Sequence, residues 1–139
     1  MDTLTKEERS ARMGLVRSKD TKPELRVRSI VHRAGYRFRL HRRDLPGSPD
    51  LVFPSRKKVI FVHGCFWHAH PNPNCKRARI PKTRVEFWKD KFSKNRARDA
   101  KTLDELRSLG WKALTLWECE LTSDAVIEKR VREFLDEVD

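Results

Sequence analysis

Pro49-Asp50-Leu51-Val52-Phe53-Pro54-Ser55-Arg56-Lys57-Lys58-Val59-Ile60-Phe61-Val62-His63 reads as two strands joined by a turn, with a carboxylate at the entry of the first and an imidazole at the exit of the second. Val59–His63 is the most apolar run in the chain, rich in β-branched and aromatic residues that suit a buried strand, and Pro54–Lys58 has turn chemistry. Upstream, Tyr36-Arg37-Phe38-Arg39-Leu40-His41 alternates apolar and basic residues, the period of a half-buried strand, and Leu45–Pro49 is a loop. Before it, Asp20-Thr21-Lys22-Pro23-Glu24 starts a helix: Thr21 caps it, Pro23 suits the first turn and Glu24 complements the dipole. Leu25, Val27, Ile30, Val31 and Ala34 are its apolar residues, and Gly35 stops it.

Downstream, residues 64–82 carry neither a helical nor a strand period, and a loop of that length in a small domain needs a tie. Thr83 to Leu109 predicts one long helix, with Thr83 and Glu86 in capping-box spacing and Gly110 as the stop. Trp111–Trp117 predicts a fourth strand, and Thr122-Ser123-Asp124 caps a last helix whose stripe is Ile127, Val131, Phe134, Leu135 and Val138. Helix, three strands, long helix, strand, helix is an α/β order with a central sheet flanked by helices. Residues 20–139 are expected to form one domain, and residues 1–19 a polar arm that orders on a partner.

The 139 residues carry 32 Lys+Arg against 20 Asp+Glu, a net charge of +12, spread between apolar positions rather than gathered in a tail. That excess points to a polyanionic partner, nucleic acid above all. No apolar run is long enough to cross a bilayer, and Met1–Glu8 lacks the basic and apolar regions of a signal peptide, so the expected compartment is the cytosol.

Cys65, Cys75 and Cys119 are an odd number of thiols, which argues against a disulfide framework. With His70 they would complete a tetrahedral zinc site, structural because no position is left for water. Three unrelated buried thiols is the plainer alternative.

Pro49-Asp50 followed by a second strand is the opening of a common nuclease pattern, in which carboxylates on adjacent strands hold magnesium beside a phosphate. Phe61 stands where the second carboxylate would be and His63 where a lysine would be, so the residues alone leave Asp50 readable as a turn aspartate. His63 and His68 flank Cys65 and can move protons near neutral pH; Glu24 is a second carboxylate within possible reach of a metal. Phe66 and Trp67 fit either a core or a wedge between base pairs. Trp88, Lys91, Asn95 and Asp99 share one helix face, which suits either a functional surface or a solvated one.

Taken together, Pro46-Gly47-Ser48-Pro49-Asp50, Phe61-Val62-His63-Gly64-Cys65-Phe66-Trp67-His68, Thr83-Arg84-Val85-Glu86-Phe87-Trp88, Lys94-Asn95, Leu109-Gly110-Trp111 and Trp117-Glu118-Cys119 resemble the very-short-patch repair (Vsr) endonucleases across nearly the whole chain, from about residue 9 to 135. The resemblance implies a restriction-endonuclease-like core and magnesium-dependent nicking of one DNA strand on the 5′ side of the thymine in a T·G mismatch left by deaminated 5-methylcytosine. It implies Asp50 and the Val62 carbonyl as magnesium ligands, His68 as the acid/base, and Glu24 and His63 in the outer shell. It also implies Cys65, His70, Cys75 and Cys119 as zinc ligands; Phe66, Trp67 and Trp88 as the wedge; and Lys91, Asn95 and Asp99 near the DNA. A link to mismatch-repair proteins and a monomeric, nucleoid-associated enzyme follow from the same resemblance. The loop Ala69-His70-Pro71-Asn72-Pro73-Asn74 departs from it, being longer and poorer in histidine. Two other readings stay open: a related zinc-containing endonuclease with a different target, and a zinc-stabilised DNA-binding module that does not cut.

Overall fold

A four-stranded mixed sheet organises the computed structural model, which describes residues 21–65, 75 and 83–137. Helix α1 (Lys22–Arg33) leads into β1 (Arg39–Leu40), β2 (Leu51–Phe53) and β3 (Lys58–His63); helix α2 (Val85–Ser108), strand β4 (Lys112–Trp117) and helix α3 (Asp124–Asp136) follow. The spatial order is β1-β2-β3-β4. β1 and β2 are antiparallel, as are β2 and β3, while β3 and β4 run parallel with His63 opposite Trp117. The crossover from β3 to β4 includes α2, as a parallel connection requires.

The two faces of the sheet hold separate cores. Val27, Ile30 and Val31 of α1 and Ile127, Val131 and Leu135 of α3 pack with Leu51, Phe53, Ile60 and Leu116 on one face. Leu106 of α2 packs with Leu45, Val52, Val59 and Phe61 on the other. Coverage on both faces is why β3 reads as a continuous apolar run, and each fully buried Ile or Leu there contributes roughly 1.5–3 kcal/mol.

Several local expectations are corrected. β1 pairs over only two residues rather than Tyr36–His41, because β2 offers three residues to pair with and β1 is matched to Leu51 and Val52. The long helix starts at Val85, and its N-cap is Arg84 in the left-handed region at φ 55°; no side-chain cap from Thr83 is made. Leu25 is exposed, whereas Thr21 does cap α1 through the Glu24 amide and Ser123 caps α3 through the Val126 amide. The expected N-terminal arm, Phe66, Trp67, His68, His70 and Val138 lie outside the described residues. Among the described residues no helix is long and apolar enough to cross a membrane.

Candidate active site and thiol cluster

Asp50 enters β2 beside the C-terminal half of β3. Its Oδ2 accepts the Val62 amide at 2.6 Å. An extended residue directs its N–H and C=O to the same side, so the Val62 carbonyl leaves β3 on the edge where Asp50 stands. The sequence signal for Asp50 was its place just before an apolar strand, and that place aims its carboxylate at the neighbouring chain.

Glu24 comes to the same spot from the first turn of α1. It is only 2% exposed, and its Oε1 accepts bonds from Arg28 Nη2 and His41 Nε2, each at 2.5 Å. His41 Nε2 also lies 3.8 Å from Asp50 Oδ1. The donor atoms of Glu24, His41 and Asp50 all fall within 4.8 Å of one another. Two carboxylates from distant segments therefore converge, as the sequence suggested for Glu24 and Asp50. His41 was not foreseen: it reads as the last residue of an alternating strand, and only its φ of 46° turns the chain there.

His63 ends β3 with its ring 5.5 Å from Phe61 and 5.2 Å from Trp117, the latter edge-on. It lines a cleft of about 250 Å³ with Gly47, Phe61, Arg98, Asp99, Thr102 and Leu103. His63 thus sits towards α2, on the side of β3 occupied by Phe61, and not within the Glu24–His41–Asp50 group. Asp99 lines the same cleft. Along α2, Trp88, Asn95 and Asp99 are half-buried, but Lys91 is exposed and Phe92, 4% exposed, takes the inward position. Trp88 packs 5.9 Å from the Phe92 ring and 5.1 Å from the Phe87 ring. The functional-face pattern hid Phe92 because polar residues outnumber apolar ones around it.

The thiols converge for a reason of register. Cys65 and Cys119 each lie two residues beyond the last matched pair of the parallel strands, His63 and Trp117. A 3₁₀ turn over Glu118–Glu120 follows β4 and is closed by Glu120 Oε1, which accepts from the Trp117 amide and from Arg130. The Cys119 amide donates to Cys65 Sγ at 3.4 Å. Cys75 joins them, so that the three sulfurs lie within 4.8 Å of one another. Burial pushes the Cys65 thiol up to about 12 and raises Cys119 as well. Such a set resists becoming thiolate unless a cation compensates it, and three convergent soft donors fit zinc, whose Zn–S bonds of ~2.3 Å need sulfurs ~3.8 Å apart.

The profile of the family described as DNA mismatch endonuclease Vsr matches residues 1–77. The type II nicking enzyme V.XorIIP of Xanthomonas oryzae pv. oryzae is 50% identical over 135 residues, covering 97% of each chain. The type II nicking enzyme V.NmeAIP of Neisseria meningitidis is 39% identical over 137 residues, covering 99% of this chain and 96% of its own. The DNA mismatch endonuclease Vsr of Escherichia coli K12 is 38% identical over 139 residues, covering 96% and 87%. Likeness on this scale over nearly full length, together with two carboxylates gathered at a strand edge and three gathered thiols, places the chain in the Vsr family of DNA mismatch endonucleases, and it is an endonuclease.

Proposed function

We propose that this endonuclease nicks one strand of duplex DNA on the 5′ side of the thymine in a T·G mismatch, in a magnesium-dependent reaction that starts very-short-patch repair of deaminated 5-methylcytosine. The observation that carries the chemistry is the convergence of Asp50 and Glu24 at the Val62 edge of β3. The E. coli relative named a DNA mismatch endonuclease supports the target class, and the net charge of +12 supports a phosphate backbone as partner. The four-stranded sheet with helices on both faces is consistent with a restriction-endonuclease-like core.

Asp50 and the Val62 carbonyl are hard oxygen donors of the kind magnesium takes, and they would hold it. When bound, the ion supplies Lewis-acid polarisation of the scissile phosphate. The chain's own groups do the rest. The Val62 amide fixes the Asp50 carboxylate in one orientation, and Glu24 is held by Arg28 and His41 rather than left to solvent. His68 is proposed as the acid/base, with His63 in the outer shell. Cys65, Cys75 and Cys119, with His70 as fourth ligand, would hold zinc and so keep the segment bearing Phe66, Trp67 and His68 against the sheet. Phe66, Trp67 and Trp88 are proposed as the wedge beside the mismatch, and Lys91, Asn95 and Asp99 as DNA-facing residues. A monomer acting in the cytoplasm, with links to mismatch-repair proteins, completes the reading.

The test is a panel of otherwise identical duplexes carrying each mismatch at one position, with and without magnesium. Nicking confined to the T·G duplex and abolished by chelation is expected. Equal cutting of matched DNA, or of a different lesion, would move the target to another site while leaving the endonuclease in place.

A further inference from the structure

We infer that His41 is a positioning residue of the active site: its imidazole ties the buried Glu24 carboxylate to the Asp50 end of β3. The inference rests on the reading of Asp50 and Glu24 as the catalytic carboxylates.

Three observations meet at this residue. His41 Nε2 donates to Glu24 Oε1 at 2.5 Å and lies 3.8 Å from Asp50 Oδ1, so one nitrogen stands between two carboxylates from different elements. Glu24 and Asp50 are 26 residues apart in sequence, on α1 and at the entry of β2. Arg28, the other group bonded to Glu24 Oε1, is one helical turn along the same helix. Its guanidinium also lies 3.4 Å from His41 Nε2, so both groups on Glu24 meet at the imidazole. His41 belongs to the β1–β2 connection, and its bond to Glu24 spans 17 residues.

The backbone supplies the second observation. His41 has φ 46°, a left-handed conformation that side-chain-bearing residues adopt uncommonly. It directly follows the two-residue strand β1, where an extended continuation would be the default. Strain of this kind persists only when the surroundings over-determine it, and it gathers at functional sites. Here the left-handed turn accompanies the ring's placement on Glu24.

The third observation is burial. The His41 side chain is 18% exposed and Glu24 2%. A carboxylate so enclosed is costly to charge unless its hydrogen bonds are made, and the same enclosure strengthens those bonds. Removing the imidazole takes from Glu24 the bond that comes to it from the β1–β2 connection. The expected consequence falls on the geometry at Asp50 and on turnover, not on affinity for DNA.

The experiment compares His41→Ala with His41→Gln on the duplex that the parent nicks fastest, with Asp50→Ala as control. Glutamine places an amide N–H near the reach of the imidazole Nε2–H, so it keeps the donor without the ring. His41→Ala is expected to lower single-turnover nicking 10- to 100-fold and raise the magnesium concentration for half-maximal rate, with duplex affinity unchanged. His41→Gln is expected to restore the rate to within about fivefold of the parent, and melting curves for both variants check that each is folded. If His41→Ala nicks at the parent's rate and magnesium dependence while Asp50→Ala is dead, the positioning role is overturned and the reading of the site stands. If His41→Gln is folded and as slow as His41→Ala, the ring itself acts and positioning is again overturned. If Asp50→Ala cuts normally, the underlying reading of the site fails instead.

Discussion

The two ends of β3 use the same strand for opposite purposes. At its start, Lys58 is 2% exposed, and its Nζ donates to the carbonyls of Phe134 at 2.7 Å and Glu137 at 2.8 Å. These are last-turn acceptors of α3, where a helix dipole favours a cation. Arg56 adds a bond to the Leu135 carbonyl, and Tyr36 donates its hydroxyl to Asp136 at 2.6 Å. Cation and acceptors there complete each other, and the result is a closed structural joint. At the strand's exit, carboxylates from α1 and β2 are instead gathered beside one another and steadied by His41, Arg28 and the Val62 amide. Two carboxylates this close repel each other, and Arg28 and the hydrogen bonds around them offset that repulsion. The strand start is a structural joint, and the strand exit is where the proposed chemistry sits.

The largest expected effect is at the thiols that brace the exit end. Cys65→Ser should abolish zinc retention and lower the melting midpoint by ~10 °C or more, following the linkage of metal binding to folding. Metal analysis of the parent should return about one zinc per chain for a four-ligand site. A parent that is folded and zinc-free would overturn the proposed zinc site. Next comes the closed joint. Lys58→Ala strips a buried donor from the carbonyls of Phe134, Leu135 and Glu137 and should cost ~3 kcal/mol, with the nicking rate per folded molecule unchanged. A large loss of rate in a folded Lys58→Ala enzyme would mean that the two ends are not separable.

Gly47 sharpens the boundary between them. At φ +76° a new Cβ would meet Thr102 Cγ2 at 2.4 Å and the Phe61 ring at 3.2 Å, so the loop before Asp50 lies directly against α2. Gly47→Ala should cost ~2 kcal/mol through backbone strain and overpacking, and because it pushes on the Asp50 loop it should slow nicking too. Chemical denaturation beside a rate measurement checks both. The smallest effect is at Tyr36. Tyr36→Phe should cost ~1 kcal/mol near neutral pH with no change in rate. Burial and the Asp136 bond raise the Tyr36 pKa above its ordinary value of 10.0, so the native state favours the protonated hydroxyl. That stability is full below pH ~10 and is lost as pH rises through the raised value, so the gap between variant and parent should close in alkaline denaturation series.

The strand reading of residues 49–63 was legible because burial on both faces leaves a run of apolar residues, and Asp50 interrupts it at one end. The thiols were legible as a set because few residue types share their chemistry, though their meeting depends on the parallel register of His63 with Trp117. Other features depend on distance or conformation that local pattern does not carry. Lys58 looks like a turn lysine until α3 returns 76 residues later to cap it. Thr83 looks like a cap until Arg84 takes the left-handed conformation. His41 reads as part of an alternating strand, and its contact with Glu24 exists only because the chain turns at that residue.

The most direct test of the division along β3 is Asp50→Ala assayed three ways on one mismatched duplex: single-turnover nicking, binding and thermal midpoint. Nicking should fall roughly 10³-fold or more, equivalent to ~4 kcal/mol of barrier, while binding is retained and the midpoint stays level or rises. Nicking at the parent's rate, or a collapse of the midpoint matching that of Lys58→Ala, would contradict the assignment of chemistry to the exit end of the strand.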